Sequence, residues 1–250
     1  MAQSASVASH ITAALNMVKQ RIIAANEQVN PGSEIPRLVA VSKTKPIEDV
    51  IAAYNHGQRH FGENYVQEMF EKASHPEIQQ CPEIQWHFIG HVQTNKTNKV
   101  AQTPNLFMVE TIDSEKLANA LNISVGKFKA SRKLNVLVQV NTSGEDQKQG
   151  ITPEDAETLA NYIHKSCPNL EFRGFMTIGS FTRSTAAGEK NPDFDVLRSV
   201  RDKFCTNHNL QSDDLELSMG MSADFEQAIF QGSTSVRVGS TIFGERNKKQ

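Results

Sequence analysis

The sequence predicts a single (β/α)8 barrel, the TIM-barrel architecture, with an additional helix at its N-terminus. Eight short apolar runs of strand character alternate with segments whose apolar residues recur at helical spacing. Alternation implies parallel strands, because parallel neighbours need a crossover, and eight such units in 250 residues with no break in composition fit one closed barrel. No GxGxxG follows any run, which disfavours the runner-up, an open doubly wound sheet of the dinucleotide-binding kind. The barrel is expected to occupy residues 1–250 as one domain, with 1–6 and 247–250 as flexible tails.

Val7, Ile11, Ala14, Leu15, Val18 and Ile22 make the first helix amphipathic, and Asn30, Pro31, Gly32 and Ser33 end it. LVAVSK (38–43) is the first strand. Ile47, Val50, Ile51 and Tyr54 mark a short helix closed by Gly57. HFGEN (60–64) is the second strand, followed by a helix carrying Val66, Met69, Phe70 and Ala73. QWHFIG (85–90) is the third strand and leads into the polar HVQTNKTNK, a loop with a short helix. LFMVETI (106–112) is the fourth, with Asp113 expected to cap the helix that turns Leu117, Ala120, Leu121 and Val125 inward. NVLVQVN (135–141) is the fifth. Thr152 and Pro153 then start a helix with Ala156, Leu159, Ala160 and Ile163 on its apolar face. EFRGFMTIG (171–179) is the sixth strand; 180–192 reads as loop, and Phe194, Leu197, Val200 and Phe204 as helix. ELSMGM (216–221) is the seventh, after which Ser222 is expected to cap a helix with Phe225, Ala228 and Ile229 that Gly232 stops. SVRVG (235–239) is the eighth.

Composition narrows the function classes. The net charge is -2, which points away from nucleic acid and anionic membranes as partners. No apolar run approaches the roughly 18 residues of a membrane span. The Ala- and Ser-rich start has neither a charged n-region nor an h-region, so it is not a secretory signal; a cytoplasmic protein is expected, with at most a weak mitochondrial address. Three widely spaced cysteines fit neither a disulfide framework nor a metal site, and favour a reducing compartment.

The chemistry centres on LVAVSKTKP. By the two-residue period Val39, Val41 and Lys43 share one strand face, and Pro46 cannot continue the ladder. Lys43 would therefore leave the carboxyl end of a buried strand, where desolvation disfavours the charged form and leaves a nucleophile for aldehydes. The plainer alternative is a strand-end lysine whose head reaches water. Ligands of such barrels bind at the carboxyl ends of the strands, and phosphate is often held after strands seven and eight. There the sequence places Met221-Ser222 at a helix start and Gly239-Ser240-Thr241, where a glycine allows close approach and hydroxyls can donate. A helix cap and an ordinary turn are the competing readings. Arg237 lies between Val236 and Val238 and points inward if the valines point out; a buried guanidinium needs a partner, and an internal ion pair with a carboxylate such as Glu63 is the alternative to a ligand. Asn64 ends the second strand and either meets a ligand or caps the next helix. His87 and His91 read as structural, and Asp213 and Asp214 as a solvated turn. An amine, a phosphate cradle and an inward arginine suit an aldehyde that bears a phosphate: pyridoxal 5'-phosphate (PLP), or a phosphorylated keto-sugar.

LVAVSKTKP, HFGENYVQE, WHFIGHVQTNK, MTIGSF, ELSMGMSADFE and VRVGSTIFGER, in that order, resemble the pyridoxal phosphate homeostasis proteins over nearly the whole chain. The resemblance implies a barrel of the alanine-racemase N-terminal type, monomeric or weakly associating, with PLP held as an internal aldimine on Lys43. It implies Asn64 beside the cofactor, Ser218 or Ser222 with Gly239 and Ser240 at the phosphate, and Arg237 facing the pyridine nitrogen. An arginine there weakens the ring as an electron sink, since it only donates. Racemases of this fold add a C-terminal β-domain and take a catalytic tyrosine from a partner chain, and both are expected to be absent here. The family is described as managing free PLP and other B6 vitamers without established turnover. The expected function is PLP sequestration and delivery to apo PLP-dependent enzymes; the alternative is an amino-acid racemase or lyase. A third class, an aldolase-like Schiff-base enzyme without PLP, would more naturally carry its lysine on the sixth strand, where EFRGFMTIG has none.

Overall fold

The computed structural model of the chain describes residues 2–129, 132–145, 148–180 and 190–245. Eight parallel strands close into a barrel in chain order, β1 pairing with β8. They are β1 (Arg37–Val41), β2 (His60–Glu63), β3 (Gln85–Phe88), β4 (Leu106–Ile112), β5 (Leu134–Gln139), β6 (Leu170–Met176), β7 (Glu216–Ser218) and β8 (Ser235–Val238). The barrel expectation holds, and every expected strand is present. Several strands are shorter at their carboxyl ends than the apolar runs suggested: β7 stops at Ser218 and β1 at Val41, because the residues beyond them turn out of the sheet to build the loops of that face.

The helices are α1 (Ala2–Val29), α2 (Ile47–Asn55), α3 (Val66–Ser74), α4 (Pro76–Gln79), α5 (Thr97–Gln102), α6 (Glu115–Phe128), α7 (Ala156–Ser166), α8 (Pro192–His208), α9 (Phe225–Phe230) and α10 (Ser240–Phe243). α1 begins at Ala2; Ala2, Gln3 and Ala5 are good helix formers and no Gly or Pro interrupts them. α1 is the additional helix, and it packs against α2, α9 and α10. Arg21 holds Glu226 of α9 with two bonds of 2.9 and 2.6 Å and lies over the Phe225 ring. The expected loop at 180–192 falls largely outside the described residues, and the tail 247–250 falls wholly outside them.

Two caps differ from the expectation. Ser114, not Asp113, caps α6: its hydroxyl accepts from the Leu117 N–H at 3.3 Å. Pro153 lies in a turn closed by Thr152 and Asp155, and α7 starts only at Ala156.

Strand alternation divides the core. Leu38, Ala40, Phe61, Trp86, Phe88, Val136, Val138, Leu217, Val236 and Val238 face the helices in one continuous apolar layer. Each large side chain buried there contributes roughly 1.5–3 kcal/mol. The other face fills the interior. Its β4–β6 side is apolar, with Met108, Leu137 and Met176 packed together. On the β1–β3 side Val39, Val41 and Ile89 close over Gly62, where a Cβ would lie 3.0–3.3 Å from all three side chains. Other interior positions carry polar side chains, His87, Glu110, Ser218 and Arg237 among them, and the Phe107 ring packs against His60 and His87. All three cysteines are free and buried.

Candidate functional site

At the carboxyl end of β1 the chain turns at once. Lys45 N–H donates to the Ser42 carbonyl at 3.0 Å, so Lys43 and Thr44 form the tip of a tight turn. Lys43 is half-buried there, in the turn rather than in the strand. Thr44 has φ 63°, a left-handed conformation that a β-branched residue adopts only under constraint. Its N–H donates to Glu68 Oε1 at 2.6 Å.

Asn64 follows β2 directly. It does not cap α3, whose N-cap is Tyr65 and has no side-chain cap bond. Instead the Asn64 side-chain oxygen is buried and has no hydrogen-bond partner among the described residues. The backbone of Asn64 lies hard against the end of β3: a Cβ at Gly90 would sit 2.1 Å from the Asn64 carbonyl oxygen. Glycine at 90 is what lets these two strand ends meet.

The exits of β7 and β8 form one unit. Ser222 Oγ accepts from the Gly239 N–H at 3.2 Å, which corrects the expected helix-capping role. α9 starts later, after Asp224, whose carboxylate accepts from the Met221 N–H at 2.7 Å and closes the intervening turn. Ser240 is exposed and opens α10 together with Thr241, at positions where backbone N–H groups have no intrahelical acceptor. Gly239 packs against β1: a Cβ there would be 3.2 Å from both Cβ and O of Val41. The closed barrel thus brings the Gly239 backbone beside the strand that delivers Lys43.

Ser218 belongs to a different layer. It is fully buried, donates to Glu110 Oε2 at 2.5 Å, and accepts from Arg237 Nη1 at 2.6 Å. Arg237 is 4% exposed, points into the barrel, and donates through Nη2 to the Thr177 carbonyl at 2.7 Å. The expected alternative of an Arg237–Glu63 ion pair is not formed. Glu63 shares its strand face with Phe61, so it points outward and pairs with Lys72 of α3 at 2.8 Å. That alternation was readable in HFGEN.

The polar chain continues below. His87 Nδ1 meets Glu110 Oε1 at 2.7 Å, and His87 Nε2 meets His60 Nδ1 at 2.9 Å. Burial opposes the charge on Glu110, but His87, Arg237 and Ser218 together hold its carboxyl below the usual range. Burial, with His87 and Arg37 beside it, pushes His60 down to about 3, so its imidazole is neutral. Burial also works against the Arg237 charge, and Glu110 and Asp224 offset part of that. His87 is structural, as expected, but as the middle of a continuous chain from His60 to Arg237. Glu110, Thr177 and Lys72 were missed. For Glu110 the signal was present: one carboxylate within the apolar LFMVETI must find a buried partner. Among the described residues no group of three or more His, Cys, Asp or Glu could hold a metal, and no helix is long and apolar enough to cross a membrane.

Comparison with known proteins agrees with this architecture. The family model described as the alanine racemase N-terminal domain matches residues 14–247. The human pyridoxal phosphate homeostasis protein is 54% identical over 94% of this chain and 85% of its own length. A crystal structure of an unknown protein from Bifidobacterium adolescentis superposes with a TM-score of 0.83 at 35% identity, covering 95% of this chain and 96% of that one. The structure of PipY from Synechococcus elongatus PCC7942 with PLP bound gives 0.70 at 28% identity, over 91% of this chain and 100% of that one. The chain belongs to the pyridoxal phosphate homeostasis protein family, built on the alanine racemase N-terminal barrel.

Proposed function

We propose that this chain binds PLP reversibly through Lys43 and serves to hold the cofactor and deliver it to apo-enzymes, without turnover of its own. The observation that carries this is the pairing of strand ends. The turn bearing Lys43 leaves β1 next to the Gly239 backbone that follows β8, with the Arg237 guanidinium fixed in the interior below. The residues fit PLP chemically. Lys43 supplies the amine for the aldehyde. Ser240, Thr241 and Gly239 supply backbone and hydroxyl donors for the phosphate, with Ser222 beside them. The unpartnered Asn64 oxygen supplies a polar contact to the cofactor. Ser218 is committed to Glu110 and Arg237, so Ser222 is the better assignment for the phosphate. Bound PLP would present an electrophilic carbon and an electron-accepting ring; Arg237, a permanent donor, would leave the ring nitrogen unprotonated and that ring a weak electron sink. Racemases of this fold tolerate such an arginine, so the storage reading rests on the family relationship and the activity test below.

The test is an absorption spectrum of the protein incubated with PLP, followed by borohydride reduction, intact-mass analysis and peptide mapping, for wild type and Lys43→Ala. Lys43 would supply the amine for a C=N bond to the aldehyde carbon, with loss of water, which borohydride would reduce to a stable secondary amine. Wild type is expected to show a visible band and a reduced adduct mapping to Lys43, and the variant neither. A variant as readily labelled as wild type would move the role to another amine, with Lys45 the first to examine. The match to the alanine racemase domain keeps one further reading: steady D-amino-acid formation from a panel of L-amino acids would replace storage with racemisation.

A further inference from the structure

Lys72 is only 7% exposed, yet it is an ammonium group in the layer between α3 and the barrel. A buried ion pair seldom earns its place by stability alone. The bonds of Lys72 show a more particular task. Its Nζ donates to the Ser42 carbonyl at 2.7 Å, to Glu63 Oε1 at 2.8 Å and to Glu68 Oε1 at 2.7 Å. Glu63 Oε1 also accepts from the Ser42 hydroxyl at 2.7 Å, and Glu68 Oε1 accepts from the Thr44 N–H at 2.6 Å. The cluster therefore grips the main chain on both sides of Lys43: the carbonyl of the residue before it and the N–H of the residue after it.

We propose that Lys72, acting with Glu68 and Glu63, is a positioning residue for Lys43, holding the Ser42–Lys45 turn in the left-handed form that presents the Lys43 amine to the aldehyde. The inference deepens the PLP reading above and rests on it. Two features favour this over a generic helix-to-strand tie. The conformation being held is one that Thr44 does not adopt unaided, at φ 63°. The helix supplies its two groups at i and i+4, so one face of α3 reaches both ends of the turn at once.

The experiment compares two ligands. PLP needs the Lys43 amine, whereas pyridoxine 5'-phosphate, with an alcohol in place of the aldehyde, uses only the phosphate and ring contacts. Lys72→Met and Glu68→Leu are expected to weaken PLP binding about tenfold or more and to lower the borohydride-trapped fraction, while pyridoxine 5'-phosphate binding changes less than about twofold. Glu68→Gln keeps an acceptor for the Thr44 N–H and is expected to restore most of the PLP affinity. Should Lys72→Met fail to fold, the Glu68 pair carries the test, since that carboxylate lies at the edge of the cluster. Equal losses for both ligands, or no loss for PLP, would overturn the inference and leave the PLP reading intact. A wild type that binds neither ligand would overturn both.

Discussion

The two ends of the barrel are built from the same strands and treat polar groups in opposite ways. At the amino end, charges are closed on themselves. Arg37, the first residue of β1, pairs with Glu216, the first of β7, and lies over the Phe107 ring; Arg173 approaches the same carboxylate, and Lys133 pairs with Glu171. At the carboxyl end, groups are held open. Thr44 is fixed in a left-handed conformation, the Asn64 side-chain oxygen has no partner among the described residues, and Ser240 stands exposed beside Gly239. Between them runs the chain His60, His87, Glu110, Ser218 and Arg237. The contrast shows where the fold spends its polar groups on cohesion and where it leaves them available, as expected for barrels that bind at the carboxyl face.

Four changes probe that contrast. The largest effect is expected at the middle of the interior chain. Glu110→Ala leaves His87, Ser218 and Arg237 buried without their carboxylate and should destabilise by about 3–5 kcal/mol in urea unfolding. A loss below about 1 kcal/mol would mean that water takes over its role. Gly90→Ala drives a methyl into the Asn64 carbonyl, and should cost about 1–3 kcal/mol while also weakening PLP binding; normal binding in that variant would remove Asn64 from the site.

The third probe is pH. His60 has its imidazole pushed from 6.5 to about 3 in the fold, whereas the unfolded chain takes up a proton below 6.5. The stability it contributes is therefore present above about 6.5 and is lost as pH falls toward 3, by at most about 1.4 kcal/mol per pH unit. Thermal melts of wild type and His60→Gln should diverge over that window; parallel curves would contradict a neutral, half-buried His60. The smallest effect belongs to the amino end. Arg37→Ala should cost about 1 kcal/mol and leave PLP binding unchanged. A change in binding would show that the two ends are coupled through the interior.

Much of the site was legible because single strands carry their own evidence. In VRVG an arginine between valines must point away from the layer the valines join, and Arg237 does. In LVAVSKTKP the lysine marks a strand exit, though the turn that holds it was not visible. Its constraint comes from Glu68 and Lys72, on a helix that no local spacing ties to Ser42. The choice between Ser218 and Ser222 was open for a related reason. Both lie on one short run, and only the partners separate them: Glu110 and Arg237 for Ser218, the Gly239 N–H for Ser222. The Glu63 partner was misjudged by setting charge ahead of strand alternation.

The sequence by itself determined the strand count, the helices between the strands, the exit of Lys43 from the first strand and the inward direction of Arg237. These follow from interactions within a few residues along the chain, where periodicity and turn chemistry act. Which polar groups meet was decided only by tertiary structure. Ser218 and Glu110 are 108 residues apart in the chain, and their oxygens lie 2.5 Å apart because barrel closure and strand register put them there. A hydrogen bond requires placement to a few tenths of an ångström, and for these groups that placement exists only once all eight strands have closed.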